Sequence, residues 1–274
     1  MTTAEIICQE GHGAHHLNGE EGSTSFHSYL NRVIQPMIQR GDLQDGSRPG
    51  SFDDRKLRWS DTRPGQMVTA DGRVVTLEVG PTCYPHCQSD IHRKPLDALD
   101  LMLAGLQTYN DPYAYFARGM GVVVIPLSHS GQAWLGKRIN SSDYADSYCF
   151  VSGWATFTAK VHEINFTADL ERELQEEIHY PHPIRPDQLR FAGLSGQPLT
   201  GEVDLVFILQ TDLADAYFDA GSWPEHQGWQ AIGNRNEAQR LLEEGRLEGC
   251  DGRISLMFSS RSGLEFLIQN HWTS

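Results

Sequence analysis

The chain has 274 residues, of which 39% are hydrophobic and 21% charged, and its formal net charge is −14. That length and mixture suit a globular protein with a well-buried core and exclude a fibre, a coiled coil or a disordered chain. So acidic a surface repels phosphate backbones and anionic lipid, which argues against nucleic-acid and membrane partners.

Five cysteines, Cys8, Cys83, Cys87, Cys149 and Cys250, are too few and too scattered for a disulfide framework. No apolar run approaches the roughly 20 residues that span a bilayer. The start, Met-Thr-Thr-Ala-Glu, has neither the basic nor the apolar part of a secretory signal, so a cytoplasmic protein with reduced thiols is expected.

Residues 1–25, rich in Gly, Glu, Ser and His, read as a flexible leader. Its His12, His15 and His16 either collect a metal or are simply solvated. From 26 to 38, Phe26, Tyr29, Leu30, Val33, Ile34, Met37 and Ile38 recur at steps of three and four, which predicts an amphipathic helix. Residues 41–65 read as loop around a short strand at 56–59. Residues 67–79 place two β-prone runs about Asp71-Gly72, a hairpin signal. A helical pattern follows through Leu96, Leu99, Leu101, Met102 and Leu106. Residues 26–118 are therefore expected to form an N-terminal α+β extension.

From 119 to 274 strands and helices alternate, the mark of an α/β layered domain. Strands are predicted at 121–127 and 132–138, joined by a turn at 128–131, then at 148–152, 189–194 and 203–210. Helical patterns occupy 167–178, 237–244 and 252–270.

The helix at 167–178 carries the chemistry. Thr167 is a candidate N-cap, and Leu170, Leu174 and Ile178 form an inward stripe. Glu173, Glu176 and Glu177, three and four residues apart, share one side. Clustered carboxylates repel one another unless a cation sits among them, and Mg²⁺ or Mn²⁺ suits an all-oxygen site. On spacing alone, a solvated acidic face fits equally well.

Arg172-Glu-Leu-Gln-Glu-Glu177 resembles the core of the Nudix box, Arg-Glu-apolar-X-Glu-Glu. Its surroundings also resemble that family. The strand at 122–127, Leu-Gly-Lys-Arg at 135–138 and Phe150-Val-Ser-Gly153-Trp precede it; Glu202-Val-Asp-Leu-Val-Phe-Ile-Leu209 and Glu225…Gly228-Trp229 follow it. The resemblance covers roughly residues 119–245. It implies a Nudix-like α/β/α sandwich with a mixed sheet, and a hydrolase that splits a phosphoric anhydride bond with Mg²⁺ or Mn²⁺ held by Glu173, Glu176 and Glu177. Arg172 would pair with a neighbouring carboxylate and hold the helix. Two departures stand out: the loop between Gly153 and the box, with Glu163 in it, is longer than usual, and His179 occupies the usual place of a glycine. The alternative is a Nudix-like nucleotide-binding domain without turnover.

Upstream, Thr76-Leu-Glu-Val-Gly-Pro-Thr82-Cys-Tyr84 and Asp111-Pro-Tyr113-Ala-Tyr-Phe116 resemble the N-terminal region of Nudix enzymes acting on UDP-sugars, which favours a nucleotide-sugar substrate. Arg138 is a candidate phosphate contact or a surface ion pair. Tyr113, with Tyr109, Tyr115 and Phe116, either stacks on a base or fills core. The water-activating base is Glu202, Glu225 or a box residue. Cys83, His86, Cys87, Asp90 and His92 lack the paired spacing of a zinc site and read as a loop. His179 and His182 bracket the helix end. The expected partner is a small diphosphate, and a homodimer is compatible with the sequence.

Overall fold

The computed structural model describes residues 5–14, 39, 55–61, 68, 69, 74–139, 144, 146–158, 160–220, 223–247 and 252–272. Three strands, β1 (Glu5–Glu10), β2 (Arg55–Trp59) and β4 (Val74–Cys83), form a small sheet in the order β1-β4-β2. The two-residue strand β3 (Val68–Thr69) joins the main sheet instead. Glu5–Glu10, read from sequence as leader, is therefore sheet: β1 runs parallel to β4, and Ile6 and Cys8 pack against the core. The helix expected at 26–38 lies outside the described residues, as do His15 and His16.

The turn of the hairpin expected about Asp71-Gly72 lies outside the described residues, and the runs on either side of it pair elsewhere. Val68 and Thr69 pair with Leu194 and Gly193, whereas Val74–Cys83 pairs with β1 and β2. In the small sheet Leu77 and Val79 lie in the main core beside Leu57 and Trp59.

Two helices follow, α1 (Tyr84–Ile91) and α2 (Pro95–Tyr109). The first stands where the sequence pattern suggests loop; Pro85 in its opening turn is where a proline is tolerated. The second matches its leucine pattern.

The main sheet is built from β5 (Met120–Leu127), β6 (Ala133–Arg138), β7 (Tyr148–Cys149), β8 (Val151–Trp154), β9 (Leu189–Gly196), β10 (Val203–Gln210) and β11 (His226–Ile232). Its backbone order is β11-β6-β5-β10-β9-β3. Only β5 and β10 pair in parallel, so the sheet is mixed. Beyond the pair Leu127–Ala133, β5 and β6 diverge, and the fork is filled by β8 on β5 and β7 on β6.

Every residue of β5 is buried, because both faces of the sheet are covered. Val122 and Val124 belong to one apolar cluster, with Leu170, Leu174 and Ile178 of α3 (Phe166–Ile178). Val123, Ile125 and Leu127 belong to the other, with Ala238 and Leu241 of α5 (Arg235–Glu244) and Leu264, Phe266 and Leu267 of α6 (Phe258–Asn270). A short α4 (Asp215–Ala220) lies between β10 and β11 in the chain. The architecture is thus a helix–sheet–helix sandwich, as expected. Residues 252–257, included in the sequence pattern for the last helix, precede it.

The small sheet shares the first cluster: Leu57, Trp59, Leu77 and Val79 pack with Met120 and Val122. Arg58, fully buried, reinforces the junction. Its guanidinium donates to the carbonyls of His12, Trp59, Tyr113 and Phe116. Among the described residues no helix is long and apolar enough to cross a membrane.

Candidate active site

The helix α3 begins at Asn165, whose side chain accepts a hydrogen bond from the Ala168 N–H at 3.2 Å; Asn165, not Thr167, is the N-cap. It ends at His179, which takes the left-handed conformation with φ 51° and ψ 38°. The N–H groups of His179 and Tyr180 return to the carbonyls of Gln175 and Leu174, closing the helix as a glycine would. The Tyr217 hydroxyl donates to the carbonyls of Ile178 and His179, holding that turn.

Four successive contacts dock α3 on β8 and the residues after it, with helix and strand running in opposite senses. The Asp169 carboxylate accepts from the Thr156 N–H and hydroxyl. Arg172 donates to the Trp154 carbonyl at 3.3 Å. The Glu173 carboxylate lies against Gly153, where a methyl group would overlap it. Glu177 Oε1 accepts from the Ser152 N–H at 2.9 Å. This zip fixes which side of the helix faces the sheet, and it buries Glu173 and Glu177 while Glu176 stays exposed.

Arg172 bridges Glu173 at 2.6 Å and Glu176 at 3.3 Å, with Asp169 at 3.7 Å. Burial pushes the Glu173 carboxyl up to about 8 despite Arg172 beside it. Burial does the same to Glu177, pushed up to about 8; the Ser152 N–H opposes the rise and the Glu225 charge adds to it. Glu177 Oε2 meets His226 Nε2 at 2.6 Å, and both side chains are almost fully buried. Burial first, then the charge of Arg138, draws the His226 ring down to about 4.

Arg138 faces Glu225 at 3.5 Å and reaches the buried Cys149 thiol at 3.8 Å. Glu225 acts electrostatically on both Glu173 and Glu177. Glu202, by contrast, acts on Cys87. Of the two downstream carboxylates singled out in the sequence, Glu225 is the one brought to the box. Glu163 sits in a 3-10 turn, half exposed and paired with Lys160 at 2.8 Å.

Tyr113 is not at this site. It is buried with Ala98, Leu101, Tyr115 and Phe116, its hydroxyl donates to the Pro198 carbonyl, and the Arg118 guanidinium covers its ring. A ring so enclosed has no face for a base, so its expected role in substrate binding is corrected to one in packing. Asp90 of the Cys83–His92 segment is taken by Arg93 and the Ala117 N–H.

Sequence reasoning missed His226. A histidine opening a strand carries no periodic signal, and its seat is made by Gly136 of β6 beneath its ring, where any side chain would overlap the imidazole.

The donor set fits a hard divalent cation in kind: three carboxylates at one helix face, two of them buried and raised toward neutrality where a positive charge would favour ionisation. Among the described residues no three His, Cys, Asp or Glu groups are gathered on one point, and Arg172 and His226 contact two of the glutamates.

No family model matches the chain, and no curated protein matches it in sequence. Solved structures do resemble it. The MutT protein of Methanosarcina mazei Go1 is 14% identical, with 56% of this chain and 95% of that one covered and a TM-score of 0.38. The NUDIX domain of Shewanella oneidensis NrtR, complexed with ADP ribose, is 13% identical, with 61% and 96% covered and a TM-score of 0.37. A NUDIX hydrolase from Nitrosomonas europaea is 15% identical, with 56% and 72% covered and a TM-score of 0.35. These are likenesses of fold at low identity; what the site can do has to come from its own residues.

Proposed function

We propose that the chain is a Mg²⁺- or Mn²⁺-dependent pyrophosphohydrolase of the Nudix type, cleaving a nucleoside diphosphate joined to another moiety. The observation that carries this reading is the burial of Glu173 and Glu177 side by side over Ser152–Gly153, with Glu176 beside them and Glu225 acting on both. A solvated acidic face would leave those two carboxylates in water.

Glu173, Glu176 and Glu177 would hold the cation. When bound, it neutralises diphosphate charge and makes water a better nucleophile near neutral pH. The protein's own groups do the positioning. Arg172 orients Glu173 and Glu176, and the Ser152 N–H with His226 orients Glu177. Glu225, partly exposed and paired with Arg138, would take a proton from the attacking water. Arg138 then meets the substrate's negative charge once Glu225 is protonated. A nucleotide sugar is favoured by the upstream resemblance alone, whose Asp111–Phe116 stretch is buried in this fold.

A second reading, a nucleotide-binding domain without turnover, is favoured by one observation: Arg172 and His226 already occupy the carboxylates. A phosphate-release screen separates the two. Protein with Mg²⁺ or Mn²⁺ is offered UDP-sugars, ADP-ribose, NADH, dinucleoside polyphosphates and nucleoside triphosphates, beside Glu177→Gln. Metal-dependent cleavage lost in the variant supports the hydrolase. Silence from folded protein that still binds nucleotide supports the second reading.

A further inference from the structure

We propose that His226 is the positioning residue for Glu177: its Nε2–H donates to Oε2 and, with the Ser152 N–H on Oε1, locks the carboxylate's plane. This rests on the reading of Glu177 as a cation ligand.

The geometry is specific. His226 opens β11 opposite Arg138 of β6, and a bulge follows it before Gly228. Its ring lies over Gly136, where a side chain on β6 would collide with it. Trp229 flanks the ring at 4.6 Å between centroids. Glycine on one strand and tryptophan on its own thus leave the imidazole one resting place, with Nε2 2.6 Å from Glu177 Oε2.

The contact with Glu177 identifies the tautomer. Among the described residues Nδ1, which is buried, has no hydrogen-bond partner. An ionised Glu177, the form that holds a cation, can only accept, so the hydrogen of the 2.6 Å contact lies on Nε2 and Nδ1 is left bare. The neutral ring therefore carries its hydrogen on Nε2 and serves as donor. Each Glu177 oxygen then accepts one hydrogen bond and keeps a second acceptor position for a cation. Without His226, the carboxylate could turn about the Ser152 bond, and the cation would have to order it on binding. Groups that orient a ligand in this way are worth about 10- to 100-fold in metal affinity.

The test uses the full chain, with Mg²⁺ and Mn²⁺ as probes. Long-range ¹H–¹⁵N spectra of protein saturated with diamagnetic Mg²⁺, where Glu177 is ionised, should show His226 as the Nε2–H tautomer; the Nδ1–H tautomer overturns the proposal. Mn²⁺ titrations followed by electron paramagnetic resonance then compare wild type, His226→Phe and His226→Gln. Phenylalanine keeps a ring against Trp229 but no donor, and should weaken binding at least about tenfold; the glutamine amide reaches the Nε2 position and should restore it to within about threefold. If the Phe variant binds Mn²⁺ as well as wild type or better, the proposal fails while the hydrolase reading stands. If folded Gln protein binds no better than Phe, the lost hydrogen bond is not the cause and the proposal fails likewise. If wild type itself binds no Mn²⁺, the hydrolase reading falls and the positioning role falls with it.

Discussion

Gly153 and Glu173 are in contact so close that the strand has no room for a side chain at the position the carboxylate crosses. The stretch Phe150-Val-Ser-Gly153-Trp thus has a local physical reason for its glycine: Gly153 lies in strand β8, without positive φ, and its role is to admit Glu173.

Replacing Gly153 by alanine should therefore displace Glu173 rather than break the strand. The atoms in the way are the far end of a flexible side chain, so the stability cost should stay near 1 kcal/mol. Metal-dependent turnover should fall at least about tenfold, as for other losses of oriented ligands. Steady-state kinetics beside a melting curve checks both, and full activity would show that Glu173 has latitude to move.

His179→Gly should stabilise the protein. A non-glycine residue at φ 51° carries on the order of 1 kcal/mol of strain, and the His179 Nδ1 contact with the Gln175 carbonyl offsets part of it. Urea denaturation should show a gain of about 0.5–1 kcal/mol, with turnover unchanged because the helix already ends correctly.

Asp204 gives a pH dependence away from the glutamates. Burial raises its carboxyl from 3.8 to about 6, opposed by a hydrogen bond from the Ser259 hydroxyl. The folded state keeps this proton to higher pH than the unfolded chain does. Its stabilising contribution is therefore complete below 3.8 and is lost as pH rises through about 6. Asp204→Asn should remove that dependence and gain on the order of 1 kcal/mol at neutral pH, since the residue is not wholly enclosed. Denaturation midpoints of the two proteins should converge at acid pH; a constant gap would refute the assignment.

Much of the fold was legible because its signals are local and periodic. The apolar run at 121–127, the Leu170–Leu174–Ile178 stripe and the leucines of α2 each declare an element without reference to anything distant. The errors share the opposite cause. The run after Asp71-Gly72, locally half of a hairpin, pairs instead with the distant β1 and β2, where Leu77 and Val79 join the main core. Tyr113 was ambiguous until Arg118 and Pro198, far along the chain, enclosed it. In the site, the three glutamates could be placed on one helix face from spacing, but their partners Ser152, His226 and Glu225 come from other elements. No spacing rule links residue 177 to residue 226.

A fragment beginning at residue 119 should not fold as an independent unit. It would lose Leu57, Trp59, Leu77 and Val79 from the first cluster, each worth about 1.5–3 kcal/mol when buried, against total stabilities of roughly 5–15 kcal/mol. Circular dichroism of the 119–274 fragment beside the full chain checks this, and a cooperative melt of the fragment would refute it.

Arg58 bears on what could replace the front of this chain. Because one guanidinium holds carbonyls from the N-terminal strand region, from its own strand and from the stretch leading into β5, those three pieces of backbone are committed to each other. A foreign sequence grafted in place of the front of this protein should therefore join the rest only if it refills the arginine's seat, so the junction behaves as shared structure and not as a hinge between modules.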